Sequence, residues 1–193
     1  MSLVQCPSGD FEGVFKDSCY HFLGIPYAKF QQRWEESSLI EEKLEFFASK
    51  KGDSSPQTRF RDENHSGVGF FLDTSLTKES EDCLSLNICT EDIGGTKPVM
   101  IWIHGGALVS GGSSSMMYEL THLAKRGIVI VSINYRLGPL GFLRLEEVTN
   151  GKINSSGNEG LKDQRNAIKW VKKNISSFGG DPNNITIFGE SAG

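Results

Sequence analysis

The chain has 193 residues, 37% hydrophobic and 23% charged, with a net charge of −4, which is length and apolar content enough for one domain with a sizeable core. It has no basic face or arm and no apolar run near the roughly 20 residues that span a bilayer, which argues against nucleic acid or membrane as partners. Met1-Ser2-Leu3-Val4-Gln5-Cys6-Pro7 has neither the basic nor the apolar region of a secretory leader, so a cytoplasmic protein is expected.

In chain order, residues 11–27 read as strand, turn near Lys16-Asp17-Ser18, and strand through Tyr20 and Phe22, followed by a Gly24-Ile25-Pro26-Tyr27-Ala28 corner. Residues 31–50 have helical spacing, with Ile40, Leu44 and Phe47 on one face. Residues 51–69 are polar and loop-like. Pro98 to Ile103 is a continuous apolar run, as a strand buried on both faces requires. A Gly/Ser loop at 105–115 leads to a helix through Tyr118, Leu120, Leu123 and Ala124, which stops at Gly127. Ile128–Ile133 is a second buried strand, and 138–157 is loop. A helix then carries Leu161, Ile168, Val171 and Ile175 on one face until Gly179-Gly180 ends it. The last strand, Ile185 to Phe188, runs into Gly189-Glu190-Ser191-Ala192-Gly193. Alternating strands and helices imply an α/β doubly wound sheet, with reactive groups at the carboxyl ends of its strands.

Cys6, Cys19, Cys83 and Cys89 contain no C-x-x-C pair, and His21, His65, His104 and His122 are scattered, so no metal site is expected. Buried reduced thiols fit this pattern, with a Cys6–Cys19 bridge across the first hairpin as the alternative. N-x-S/T triplets begin at Asn64, Asn154, Asn174 and Asn184 and matter only on a secreted chain.

Two segments carry chemistry. The 189–193 segment matches G-x-S-x-G directly after a β-branched and aromatic strand. A tight strand-to-helix turn there forces Ser191 into a strained conformation and lifts its hydroxyl clear of the sheet, and glycines on either side remove clashing Cβ atoms. His104-Gly105-Gly106-Ala107 follows the first buried strand. Acyl transfer through serine makes an oxyanion, and a glycine-rich loop brings backbone N–H groups close enough to stabilise it. No phosphate-binding glycine pattern occurs, so nucleotide binding fits poorly. His104 reads as a residue orienting the loop rather than as the base.

These segments, with Phe178-Gly179-Gly180-Asp181-Pro182, Glu81-Asp82-Cys83-Leu84-Ser85-Leu86-Asn87-Ile88, Ile133-Asn134-Tyr135-Arg136-Leu137-Gly138 and Gly24 to Ala28, resemble the type-B carboxylesterase and cholinesterase-like family. The resemblance implies an α/β-hydrolase fold, with 1–193 as the N-terminal part of a carboxylesterase type-B domain whose C-terminal half is absent. It implies a mostly parallel sheet preceded by a small β-hairpin. It also implies Ser191 as nucleophile, backbone N–H groups of Gly106, Ala107 and Ala192 as oxyanion donors, and Glu190 lining the site. The implied activity is hydrolysis of a small-molecule ester through an acyl-enzyme, without metal or organic cofactor.

Departures from the family pattern are Ala107 for its third glycine, Leu108 for the aromatic after it, and Ser85 for another aromatic. Ser55 stands where secreted relatives place the cysteine that bridges to the one at 83. No tryptophan lies between Trp34 and Trp102 to bind a choline cation, which argues against a cholinesterase. Residues 31–50 lack the family's proline-rich extended segment. The family order, serine then acid then histidine, puts both partners of Ser191 beyond Gly193. The chain alone is therefore expected to be inactive and unstable. The rival readings are a non-catalytic cholinesterase-like adhesion protein and a truncated non-enzymatic product.

Overall fold

A computed structural model describes residues 2–57, 78–115 and 118–193. Its first three strands are β1 (Ser2–Cys6), β2 (Gly9–Lys16) and β3 (Cys19–Pro26), paired antiparallel in sequence. Asp17 and Ser18 join β2 to β3 with φ of 53° and 63°. Such left-handed two-residue loops match the twist of the strands they connect. The β2–β3 hairpin is the one expected from the sequence, and β1 adds a third strand ahead of it.

Residues 31–50 are not helical. Ser38–Leu39 (β5) pairs with Ala28–Lys29 (β4), and Leu44–Phe47 (β6) runs parallel to β2, Leu44 opposite Gly9 and Phe47 opposite Glu12. The free backbone edge of β2 outweighs the weak helical spacing, and the period becomes two. Phe46, not Phe47, therefore packs inward, 6.5 Å from the Phe11 ring, while Phe47 is exposed.

The sheet continues through β7 (Ser85–Thr90), β8 (Lys97–Ile103), β9 (Val129–Ile133) and β10 (Gly180–Gly189). Its order is β1-β2-β3-β7-β9-β8-β10. Along this order the pairings up to β9 are antiparallel, β9-β8-β10 form a parallel core, and β6 adds a parallel pairing to β2 off the path. Every residue of β7 and β9 is buried. Three α-helices, α1 (Thr121–Ala124), α2 (Gly138–Phe142) and α3 (Glu159–Asn174), and a 3-10 turn (Ile175–Phe178) connect the parallel strands. Helix α1 is shorter than the spacing suggests: Tyr118 and Leu120 lie before it. Helix α2 falls in the stretch read as loop.

Trp170 and Phe178 pack edge-on against Phe11 and Phe22, with ring centroids at 6.0 Å for Phe11–Trp170 and 4.9 Å for Phe22–Phe178. Val171 and Ile175 are buried as expected, but Leu161 is 50% exposed. The inward face of α3 instead begins with Gly160, Asp163 and Gln164. Asp163 can be buried because Arg136, itself 1% exposed, donates to it from Nε at 2.7 Å, from Nη2 at 2.8 Å and from its backbone N–H at 3.2 Å. The Ser37 hydroxyl donates to the same carboxylate at 2.5 Å, and Arg136 Nη1 donates to the Glu35 carbonyl at 2.7 Å. This charge cluster ties the 30–37 segment to α3.

All four cysteines are free, so no Cys6–Cys19 bridge forms. The Cys83 thiol is pushed up to about 12 by burial, a shift that the neighbouring Ser55 side chain partly opposes. Ser55 thus occupies the neighbouring position that its reading as a replaced partner required. Ser85 packs closely on Gly52, where a Cβ would lie 2.1 Å from the serine hydroxyl oxygen.

Candidate active site

Strand β10 runs parallel beside β8 with Gly189 level with Ile103, so the segments leaving both strands start side by side. Chain order takes β8 first to β9 on one flank, whereas β10 lies on the other. Connections that diverge at the carboxyl end of a central strand open a crevice there. Both sequence motifs lie at this point.

At the end of β10 the turn is closed by the Gly193 N–H donating to the Glu190 carbonyl at 2.9 Å. Ser191 has φ of 57°, a conformation disfavoured for L-residues, as the motif predicts. A Cβ at Gly189 would lie 2.5 Å from the Gly193 carbonyl carbon, and one at Gly193 would strike the Ile103 carbonyl. Glycine on both sides is therefore a steric requirement of the turn. Ser191 is exposed, and its hydroxyl makes no hydrogen bond among the described residues.

The glycine loop rests on this elbow. A Cβ at Gly105 would lie 2.5 Å from the Glu190 carbonyl oxygen, 3.0 Å from its carboxylate and 3.2 Å from Ser191 Cβ. The Gly106 carbonyl accepts from the Val109 and Ser110 N–H groups at 3.0 Å each, curling the loop. No hydrogen bond among the described residues uses the N–H groups of Gly106, Ala107 or Ala192. Ala107 and Leu108 have φ of 53° and 63°, so an alanine and a leucine hold a conformation that suits glycine. Glu190 is exposed beside Ser191.

His104 is 1% exposed and stacked on Tyr135, with ring centroids 4.5 Å apart. Its Nδ1–H donates to the Gly105 carbonyl at 2.9 Å, and its buried Nε2 has no partner among the described residues. Burial lowers its pKa to about 4, so the ring is neutral near pH 7. This is a loop-orienting residue, as the sequence suggests. His21 lies on the first hairpin, with Nε2 3.2 Å from the Lys16 carbonyl, and His122 is exposed on α1. His65 lies outside the described residues. None of the three described histidines hydrogen-bonds Ser191.

The supports of the glycine loop were not read from the sequence. Tyr135 donates its hydroxyl to the His104 carbonyl at 2.8 Å, and the Gly138 N–H donates to the Leu108 carbonyl at 2.7 Å. Asn134 accepts from the Ser113 N–H at 2.7 Å and donates to the Asp53 carbonyl at 3.0 Å. The segment after β9 thus anchors the loop after β8. No group of three or more His, Cys, Asp and Glu placed to hold a metal occurs among the described residues. Of the N-x-S/T asparagines, Asn174 is fully buried, accepting from the Ser8 N–H and donating to the Trp170 carbonyl. Asn154 and Asn184 are exposed, and Asn64 lies outside the described residues.

Over residues 1–193 the sequence matches the carboxylesterase family. It is 40% identical to para-nitrobenzyl esterase of Bacillus subtilis, the alignment covering 99% of this chain and 38% of that protein. It is 47% identical to human bile salt-activated lipase, over 63% of this chain and 18% of the lipase. A solved PNB esterase superposes with a TM-score of 0.85 at 38% identity, covering 100% of this chain and 39% of that one. The Geobacillus stearothermophilus carboxylesterase EST55 gives 0.85 at 37% identity, over 100% of this chain and 38% of its own. These structures share the α/β-hydrolase fold. The chain spans well under half the length of these relatives.

Proposed function

Because the chain belongs to the carboxylesterase family, we propose that it carries the nucleophile and the oxyanion donors of a serine ester hydrolase. The observation supporting this reading is the left-handed, exposed Ser191 at the end of a strand, in contact with a glycine loop whose amides are unengaged. In the proposed reaction Ser191 Oγ attacks the ester carbonyl as a base takes its proton. The carbonyl oxygen becomes an oxyanion held by the N–H groups of Gly106, Ala107 and Ala192. Each such donor is worth about 10²–10³ in rate. Collapse expels the alcohol, leaves the acyl group on Ser191, and water then releases the acid.

The base is not His104, whose ring is buried and holds a proton only below about pH 4. The proton acceptor and its acidic partner come from residues downstream of Gly193, in the family order. A serine without its base stays protonated and weakly nucleophilic, so residues 1–193 alone turn over no ester. Esters of para-nitrobenzyl alcohol are the first substrates to try, given the similarity to the Bacillus para-nitrobenzyl esterase.

The test is pre-steady-state hydrolysis of para-nitrophenyl acetate by the intact gene product, its Ser191→Ala variant and residues 1–193 alone. The proposal expects a stoichiometric burst from the first only. A burst that survives Ser191→Ala would overturn it.

A further inference from the structure

The glycine loop has a second support, reaching it from a part of the chain far away in sequence. The Gln57 carboxamide brackets Gly111: its Oε1 accepts from the Gly111 N–H at 2.8 Å, and its Nε2 donates to the Gly111 carbonyl at 2.9 Å. A further Nε2 hydrogen bond goes to the Ser55 carbonyl at 3.1 Å. With both N–H bonds and the oxygen engaged, the amide has one satisfactory orientation. Gly111 in turn lies flat on the root of the loop. Its φ is 102°, and a Cβ there would lie 2.5 Å from the Gly105 carbonyl oxygen and 2.6 Å from His104 Nδ1. That carbonyl is the acceptor of the His104 Nδ1–H bond, and the Gly105 α-carbon packs on Glu190 and Ser191. Contacts therefore run without a gap from Gln57 through Gly111 and Gly105 to the elbow.

We propose that Gln57 is a positioning residue for ester hydrolysis: by clamping Gly111 it fixes the loop that carries the Gly106 and Ala107 amides and contacts the elbow through Gly105. The inference rests on the serine-esterase reading above. Oxyanion donors work because they need not reorganise as charge develops, and a displacement of about 1 Å costs about 10²-fold in rate. Gln57 touches no reacting atom in this scheme. Its loss loosens donors that act in the transition state and leaves ground-state binding of the ester alone.

The experiment uses the intact gene product and its Gln57→Leu and Gln57→Glu variants, with para-nitrophenyl acetate as substrate and an aryl trifluoromethyl ketone as inhibitor. The ketone adds the serine oxygen and becomes a hemiketal whose oxyanion occupies the donors. Gln57→Leu is expected to lower kcat about 10- to 100-fold with KM changed less than about threefold, and to weaken the ketone in proportion to kcat/KM. Gln57→Glu keeps the acceptor for the Gly111 N–H but cannot donate to its carbonyl, so a smaller loss of the same pattern is expected. If Gln57→Leu does not fold, Gln57→Glu decides alone. A wild-type burst with unchanged kcat in the folded variants overturns the positioning role. So does a loss confined to KM. No burst from the wild type overturns the esterase reading, and the positioning role with it.

Discussion

Strain at Ser191 makes a prediction whose sign is diagnostic. At φ of 57° the Cβ of any L-residue crowds its own backbone, at a cost of about 1–2 kcal/mol that glycine avoids. Glycine loses more chain entropy on folding, about 0.5–1 kcal/mol relative to alanine. At an ordinary position alanine is therefore the more stable of the two. At 191 the strain term is the larger, and Ser191→Gly should exceed Ser191→Ala in stability by about 0.5–1 kcal/mol. Both variants lack the hydroxyl, so its loss does not separate them. Urea unfolding of the two intact proteins at equal m-values measures the difference directly. Alanine equal to or more stable than glycine would show that the elbow holds no strain, and the account of how it presents the hydroxyl would fail.

Two other perturbations test the surroundings. Asp163→Ala leaves the Arg136 guanidinium buried and unpaired, and urea unfolding should show a loss of about 3–5 kcal/mol; a loss below about 1 kcal/mol would contradict the burial of this pair. His104 couples stability to pH. Well above pH 6.5 it is neutral in both states, but as pH falls through 6.5 toward 4 the unfolded chain takes up a proton that the folded chain refuses. Stability should then fall by about 3 kcal/mol across that window, and His104→Gln should remove this component. Parallel stability curves for the two proteins between pH 7 and 4 would refute it.

The elbow and the glycine loop were legible in the sequence because each joins a strand of β-branched and apolar residues to a short run whose chemistry is local. What supports them was not. Gln57 meets Gly111 across 54 positions of chain, and Tyr135 meets His104 across 31. No periodicity records such pairings. Strand β7 escaped notice because its buried positions include polar side chains. Asn87 is satisfied inside, accepting from the Gly24 N–H and donating to the Ser113 and Ser132 hydroxyls. Asp163 misled in the same way on α3, where its pairing with Arg136 puts a charge on the inward face and leaves Leu161 outside. Residues 31–50 were misread for a different reason, since their conformation follows from the edge that β2 offers to Leu44–Phe47. Local spacing is a weak signal against a row of unpaired amides.

The most direct measurement is site mapping of a fluorophosphonate adduct, since that reagent phosphonylates only a serine whose hydroxyl is activated by a base and whose oxyanion is received by donors. On the intact gene product the account predicts one equivalent of label, located by peptide mass on Ser191, and none on residues 1–193 alone. Label on a different serine, or an intact protein that takes up none, would contradict it.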